Sequence, residues 1–124
     1  MIALDTSSTI AFLSGERGSD VTAVEAALRF RNGAFPPVVV TELLSDPAVR
    51  SGIAALIRGV PRLEILDGYW ERAAELRARL LRRGLKARLA DTLIAQSCLD
   101  HQVALLTRDR DFRNFATHAS LHLE

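Results

Sequence analysis

Short apolar runs that end at an acidic residue alternate in this chain with stretches whose apolar positions recur every three or four residues, and that alternation most constrains the fold. Ile2-Ala3-Leu4 stops at Asp5, and Val103-Ala104-Leu105-Leu106 closes with Thr107-Arg108-Asp109. Runs this short read as buried strands, whereas the spaced positions read as amphipathic helices. Strands separated by helices connect through right-handed crossovers, so the chain is expected to be an α/β protein with a mostly parallel sheet covered on both faces. In 124 residues there is room for a single domain, 1–124, with one core.

Along the chain, Thr6, Ser7 and Ser8 follow the first strand and cap a short helix through Ile10, Phe12 and Leu13 that stops at Ser14-Gly15. Val21, Val24, Ala27 and Leu28 mark a second helix with Asp20 as its N-cap. Pro36-Pro37-Val38-Val39-Val40 ends in a β-branched run and is read as strand two, followed by a brief helix at Thr41-Glu42-Leu43-Leu44. Asp46-Pro47 signals the start of another helix, with Val49, Ile53, Leu56 and Ile57 as its buried face. Leu63-Glu64-Ile65-Leu66 is read as a third strand near the sheet edge. Tyr69, Ala73, Leu76 and Leu80 then line a helix ended by Gly84, and Ala90-Asp91-Thr92 opens one containing Leu93, Ile94, Ser97 and Cys98. A short helix is expected from Asp111, and Leu121-His122-Leu123 as an edge strand.

Composition narrows the class. With 48% hydrophobic and 25% charged residues, the chain has the mix of a soluble globular protein. Its longest apolar stretches fall well short of the roughly 20 residues needed to cross a bilayer. The N-terminus lacks the basic start and long apolar stretch of a secretory signal, so the expected location is cytoplasmic. The lone Cys98 is expected to be a buried small hydrophobe. Leu123-Glu124 is read as the beginning of an appended tag and set aside. A net charge of +1 argues against a globally basic nucleic-acid binder, but Arg77, Arg79, Arg82, Arg83, Lys86 and Arg88 crowd one region. That crowding is either a solvated helix face or a surface facing an anionic partner.

Four acids carry the chemical argument. Asp5 follows strand one, Glu42 follows the expected strand two, Asp91 begins a helix, and Asp109 follows the last strand, which directs all four to one sheet edge. Two carboxylates about 4 Å apart repel by roughly 4 kcal/mol at an effective dielectric near 20. A divalent cation removes that penalty. All-oxygen donors favour a hard ion such as magnesium, and His101, His118 and His122 form no zinc motif. Phosphodiester hydrolysis is the chemistry such a site performs, because the ion activates water and stabilises charge on the phosphorus oxygens. Each acid also has a plainer role: Asp5 or Asp91 as a cap, Glu42 beside a helix N-terminus, Asp109 in a turn.

These segments resemble the PIN-domain family and, within it, the VapC-type toxins of prokaryotic toxin–antitoxin pairs. The resemblance is carried by Ile2-Ala3-Leu4-Asp5-Thr6-Ser7, Val40-Thr41-Glu42-Leu43-Leu44, Leu89-Ala90-Asp91-Thr92-Leu93-Ile94-Ala95 and Leu106-Thr107-Arg108-Asp109-Arg110-Asp111-Phe112. It implies a three-layer α/β/α sandwich, magnesium or manganese, endoribonuclease activity, frequent homodimers and inhibition by a small antitoxin. Position by position it implies catalytic Asp5, Glu42, Asp91 and Asp109, with Asp5, Asp91 and Asp109 as metal ligands. Thr6, Ser7, Thr107 and Asp111 become accessory residues; the chain from Asp46 to Lys86 matches only in pattern, and it is the crowding of positive charge that makes Arg82, Arg83, Lys86 and Arg88 candidates for RNA phosphates. An antitoxin would seat an arginine among the carboxylates and lay apolar contacts on the helix at Val21 to Leu28 and the segment from Val49 to Ile57. A phosphatase of the haloacid-dehalogenase type also starts from a strand-terminal Asp, but it needs a second acid where Ser7 stands. The remaining alternative is a catalytically silent PIN-fold module that binds RNA or protein.

Overall fold

Three parallel strands in the order β2-β1-β3 form the centre of the computed structural model, which describes residues 1–124. In chain order the elements are β1 (Ile2–Leu4), α1 (Thr6–Leu13), α2 (Ser19–Arg29), β2 (Gly33–Ala34), α3 (Pro37–Ser45), α4 (Ser51–Gly59), α5 (Tyr69–Arg82), α6 (Leu89–His101), β3 (Ala104–Leu106) and α7 (Arg113–Ala119). One 3₁₀ turn, Arg110–Phe112, links β3 to α7. The fold is an α/β sandwich of the expected kind. Ala3 and Leu4 of β1 pair with Leu105 and Leu106 of β3, and all four are buried. Strand β1 thus lies between its neighbours, with Asp5 immediately beyond its carboxyl end.

Residues Pro36 to Val40 do not form a strand. They open α3, with Pro36 at the N-cap and Pro37 in the first turn. Three consecutive valines carry a helix penalty of a fraction of a kcal/mol each. Val39 and Leu43, however, lie four residues apart on one helical face and are fully buried, each worth about 1.5–3 kcal/mol. Burial outweighs propensity here. The strand lies just upstream, at Gly33–Ala34, where a Cβ on Gly33 would meet the Leu4 side chain at 2.9 Å and Ala27 of α2 at 3.4 Å. Glycine permits the close packing of α2 on the sheet.

The expected third strand is also displaced. Pairing beside β2 involves Phe35 and Arg62, with Leu63 N–H donating to the Phe35 carbonyl at 2.9 Å, while Ile65 and Leu66 stay exposed. Only Leu63 of that run enters the core. Asp46-Pro47 makes a turn rather than a helix start, because Asp46 Oδ1 accepts from Ala48 N–H at 2.8 Å and α4 begins only at Ser51. Of the four residues assigned to its buried face, Ile57 alone is fully buried.

Elsewhere the periodicity holds. Tyr69, Ala73, Leu76 and Leu80 are all buried on α5, and Gly84, at φ 72°, follows the helix end in the left-handed conformation. On α6, Cys98 is buried and its thiol is pushed up to about 12 by burial, so it packs as an inert hydrophobe. Leu123 bridges to Leu105 beside β3, placing the last residues at the sheet edge. No helix is long and apolar enough to cross a membrane.

Candidate metal centre

The strand-terminal acids are held by local and cross-strand hydrogen bonds together. Asp5 occupies the N-cap position of α1, yet its side chain makes no cap bond. Instead its Oδ2 accepts from Ser7 Oγ at 2.7 Å and from Thr107 Oγ1 at 2.6 Å. Both hydroxyl protons are thereby committed to Asp5, so the 3.2 Å approach between Ser7 and Thr107 is a contact between acceptors. Asp5 is only 3% exposed, and the two donors supply the partners that a buried carboxylate requires.

Thr107 extends this network into the loop after β3 by accepting from Asp109 N–H at 3.0 Å. Asp109 in turn caps the 3₁₀ turn, its Oδ1 accepting from Asp111 N–H at 2.9 Å. Its expected turn-shaping role is real and leaves Oδ2 outside that bond. Asp91 is not an N-cap, since Arg88 holds that position, but it lies in the first turn of α6. Burial, then the charges of Asp109 and Asp5, push its carboxyl up to about 6.

Asp91, Asp109 and Asp111 come together, each offering a carboxylate oxygen so that all lie within 4.8 Å of one another. Asp5 is outside that tight set, although close enough for its charge to raise Asp91. Asp111, expected only as an accessory acid, is a member. Octahedral oxygen ligands at about 2.1 Å from an ion lie no more than roughly 4.2 Å apart, so small side-chain adjustments would let the three acids share one small divalent cation. The all-carboxylate donor set fits a hard cation.

Glu42 reaches this region differently from expectation. It follows no strand; it sits within α3 and accepts from Thr6 Oγ1 at 2.7 Å, which ties it to the residue after Asp5. The basic cluster divides. Lys86 Nζ donates to Asp111 Oδ2 at 2.8 Å and Arg88 lies 3.9 Å from the same oxygen, and these cations hold the Asp111 carboxyl below the usual range. Arg83 points elsewhere, toward His118 Nδ1 at 3.0 Å, and Arg82 lines a polar cleft with Arg72 and Glu75.

Residues 2–117 match the family model described as PIN domain. The chain belongs to the PIN-domain family. No curated protein matches this PIN domain by sequence. In fold it is similar to the crystal structure of VapBC2 from Rickettsia felis bound to a DNA fragment from their promoter, with a TM-score of 0.75 and 20% identity, covering 100% of this chain and 98% of that one. The acidic edge described above is thus carried by a PIN fold. Sequence reasoning missed the residues that brace it, Ser8, Asp20 and Arg108. Asp20 was expected to cap α2, but Gly18 holds that place and Asp20 bonds Arg108, 88 positions away in the chain. No local pattern carries such a long-range pair.

Proposed function

We propose that this PIN domain is a magnesium- or manganese-dependent endoribonuclease, the toxin of a toxin–antitoxin pair. The observation that carries this reading is the convergence of Asp91, Asp109 and Asp111 beside buried Asp5 at the carboxyl ends of β1 and β3. Asp91, Asp109 and Asp111 would hold the cation, with Asp5 as the adjoining carboxylate. When bound, the ion activates water and neutralises charge developing on the phosphate. Asp91 carries a proton below about pH 6 and must release it from its carboxyl oxygen before ligating a cation. Ser7 and Thr107 orient Asp5 through its Oδ2, and Thr6 orients Glu42. Both arrangements pre-position charge before substrate arrives.

Lys86 and Arg88 are the cations placed to meet an RNA phosphate next to these acids. Neutralising either should flatten the salt dependence of RNA binding by about 0.7 per lost contact on a single strand. Arg82→Gln and Arg83→Gln should leave the slope unchanged. Fluorescence anisotropy in chelator, across a salt series, checks this; equal slopes for all four variants and wild type would remove the basic residues from the RNA path.

An antitoxin has a suitable seat. The two segments expected to carry it, on α2 and α4, line one cavity of about 580 Å³ that includes Ala27, Leu28, Ala55, Leu56 and Val60. Phe30, 74% exposed, and Leu56, 50% exposed, add apolar surface that the core leaves uncovered. A partner anchored there could extend an arginine toward the acids. A homodimer is the second assembly we infer, checked by sedimentation of the isolated chain. The toxin reading is tested by expressing the chain in its host, alone and with the product of the adjacent small gene. Growth arrest with RNA cleavage, relieved by the neighbour, is expected; harmless expression of active nuclease would overturn the toxin assignment.

A further inference from the structure

Arg108 stands between Thr107 and Asp109, and its side chain turns away from the carboxylates toward the α1–α2 connection. Nε donates to Asp20 Oδ2 at 2.8 Å and Nη2 to Asp20 Oδ1 at 3.1 Å, a bidentate pair, while Nη1 reaches Glu16 Oε1 at 3.2 Å. Ser8 Oγ adds a 2.9 Å bond to Asp20 Oδ2, and the Arg108 backbone N–H donates to Ser7 Oγ at 3.4 Å. Ser7 is the residue that also holds Asp5. The loop after β3 is thus fastened to the start of α1 through Thr107 and the Arg108 backbone, and to Glu16 and Asp20 through the Arg108 side chain.

Gly18 completes the arrangement. Its φ of 151° is one that side chains rarely adopt, and a Cβ there would come within 2.6 Å of Asp20 Oδ1 and 3.3 Å of Arg108 Nη2. The chain leaves this place empty so that the two charged groups can meet. An ion pair near the surface contributes little to stability, but a bidentate guanidinium–carboxylate pair fixes direction as well as distance. Arg108's neighbours on either side are the residues whose positions matter: Thr107 donates to Asp5, and Asp109 belongs to the carboxylate triad.

We propose that Arg108 and Asp20 form a clamp that positions Asp109 and Thr107, so that cation affinity depends on a pair that does not itself touch the cation. Arg108 is a positioning residue in this account, and the inference rests on the metal-site reading above. Groups that orient metal ligands typically change metal affinity by about 10–100-fold when removed.

Manganese titration of the purified chain, followed by calorimetry, reads the effect without reference to cleavage. Arg108→Gln and Asp20→Asn should each weaken Mn²⁺ binding by about 10–100-fold. Gly18→Ala should weaken it in the same direction with both charges intact. Arg108→Lys should recover only part of the loss, because an ammonium cannot make the paired bonds. Removing the exposed Glu25–Arg29 pair with Arg29→Gln is the control and should leave affinity unchanged. Hydrogen exchange of the Asp109 and Asp111 amides in chelator supplies a second readout, expected to be faster in Arg108→Gln and Asp20→Asn. If wild type binds no Mn²⁺, the metal-site reading fails and amide exchange alone decides the clamp. Wild-type affinity or, in that case, wild-type exchange in the clamp variants, even with a lower melting temperature, would reduce Arg108–Asp20 to an ordinary structural ion pair.

Discussion

Asp91→Asn is expected to fold normally and to lose magnesium-dependent RNA cleavage to background. The substitution preserves shape and removes one charge from a carboxyl that burial and the neighbouring Asp109 and Asp5 already disfavour in its ionised form. What disappears is one of the proposed cation ligands. A cation supplies several kcal/mol of transition-state stabilisation, on the order of 10³-fold or more at about 1.4 kcal/mol per decade. Asp109→Asn should behave alike, because its amide oxygen can still accept from the Asp111 N–H and keep the turn. Single-turnover cleavage of a labelled RNA, alongside circular dichroism, checks both variants. Wild-type cleavage by either one would remove that residue from the proposed site.

In chelator, the metal-free protein should become more stable as pH falls from 7 toward 5. The Asp91 carboxyl lies at about 6 in the folded chain against a usual value of 3.8, so the folded state binds its proton more tightly than the unfolded state. Its contribution is therefore fully present below the lower value and lost as pH rises through about 6. Asp20 runs the other way. Arg108 holds it at about 2, so its contribution is present above 3.8 and is lost as pH falls toward 2. The metal-free optimum therefore falls at about pH 4 to 5. The shift from 3.8 to about 6 corresponds to about 3 kcal/mol, but Asp91 is only half-buried, and solvent screening reduces the expected gain to about 1 kcal/mol.

Magnesium at 100 times its dissociation constant should add about 2.7 kcal/mol at neutral pH, and the addition should shrink as Asp91 protonates. Asp91→Asn should flatten both dependences. Urea midpoints measured from pH 4.5 to 7.5, with chelator and with magnesium, provide the check. A metal-free stability that climbs steadily from pH 5 to 7 would contradict the assigned environment of Asp91.

The strand-terminal acids were legible because each carboxylate follows its buried strand within three residues in the sequence. Ile2-Ala3-Leu4 and Asp5, like Leu105-Leu106 and Asp109, need only local hydrophobic pattern to be read. Asp91 was legible for a similar reason, being in the first turn of a strongly apolar helix. Glu42 was singled out through a mistaken element: the valines before it favour strand by propensity, and only the burial of Val39 and Leu43 against the rest of the core makes them helical. β2 escaped notice because Gly33-Ala34 has almost no side chain to form a pattern. Asp111 joins the triad through a turn whose geometry depends on the Asp109 side chain. The Arg108–Asp20 clamp could not be read locally at all, since each residue has an ordinary local role and their pairing belongs to the tertiary fold.

Mapping new RNA ends after incubation of the partner-free chain with total cellular RNA tests the central claim most directly. The account predicts internal cuts with magnesium or manganese, none in chelator, and none with Asp109→Asn under any ion. Cuts that persist in chelator, or that Asp109→Asn makes at the wild-type rate, would contradict it.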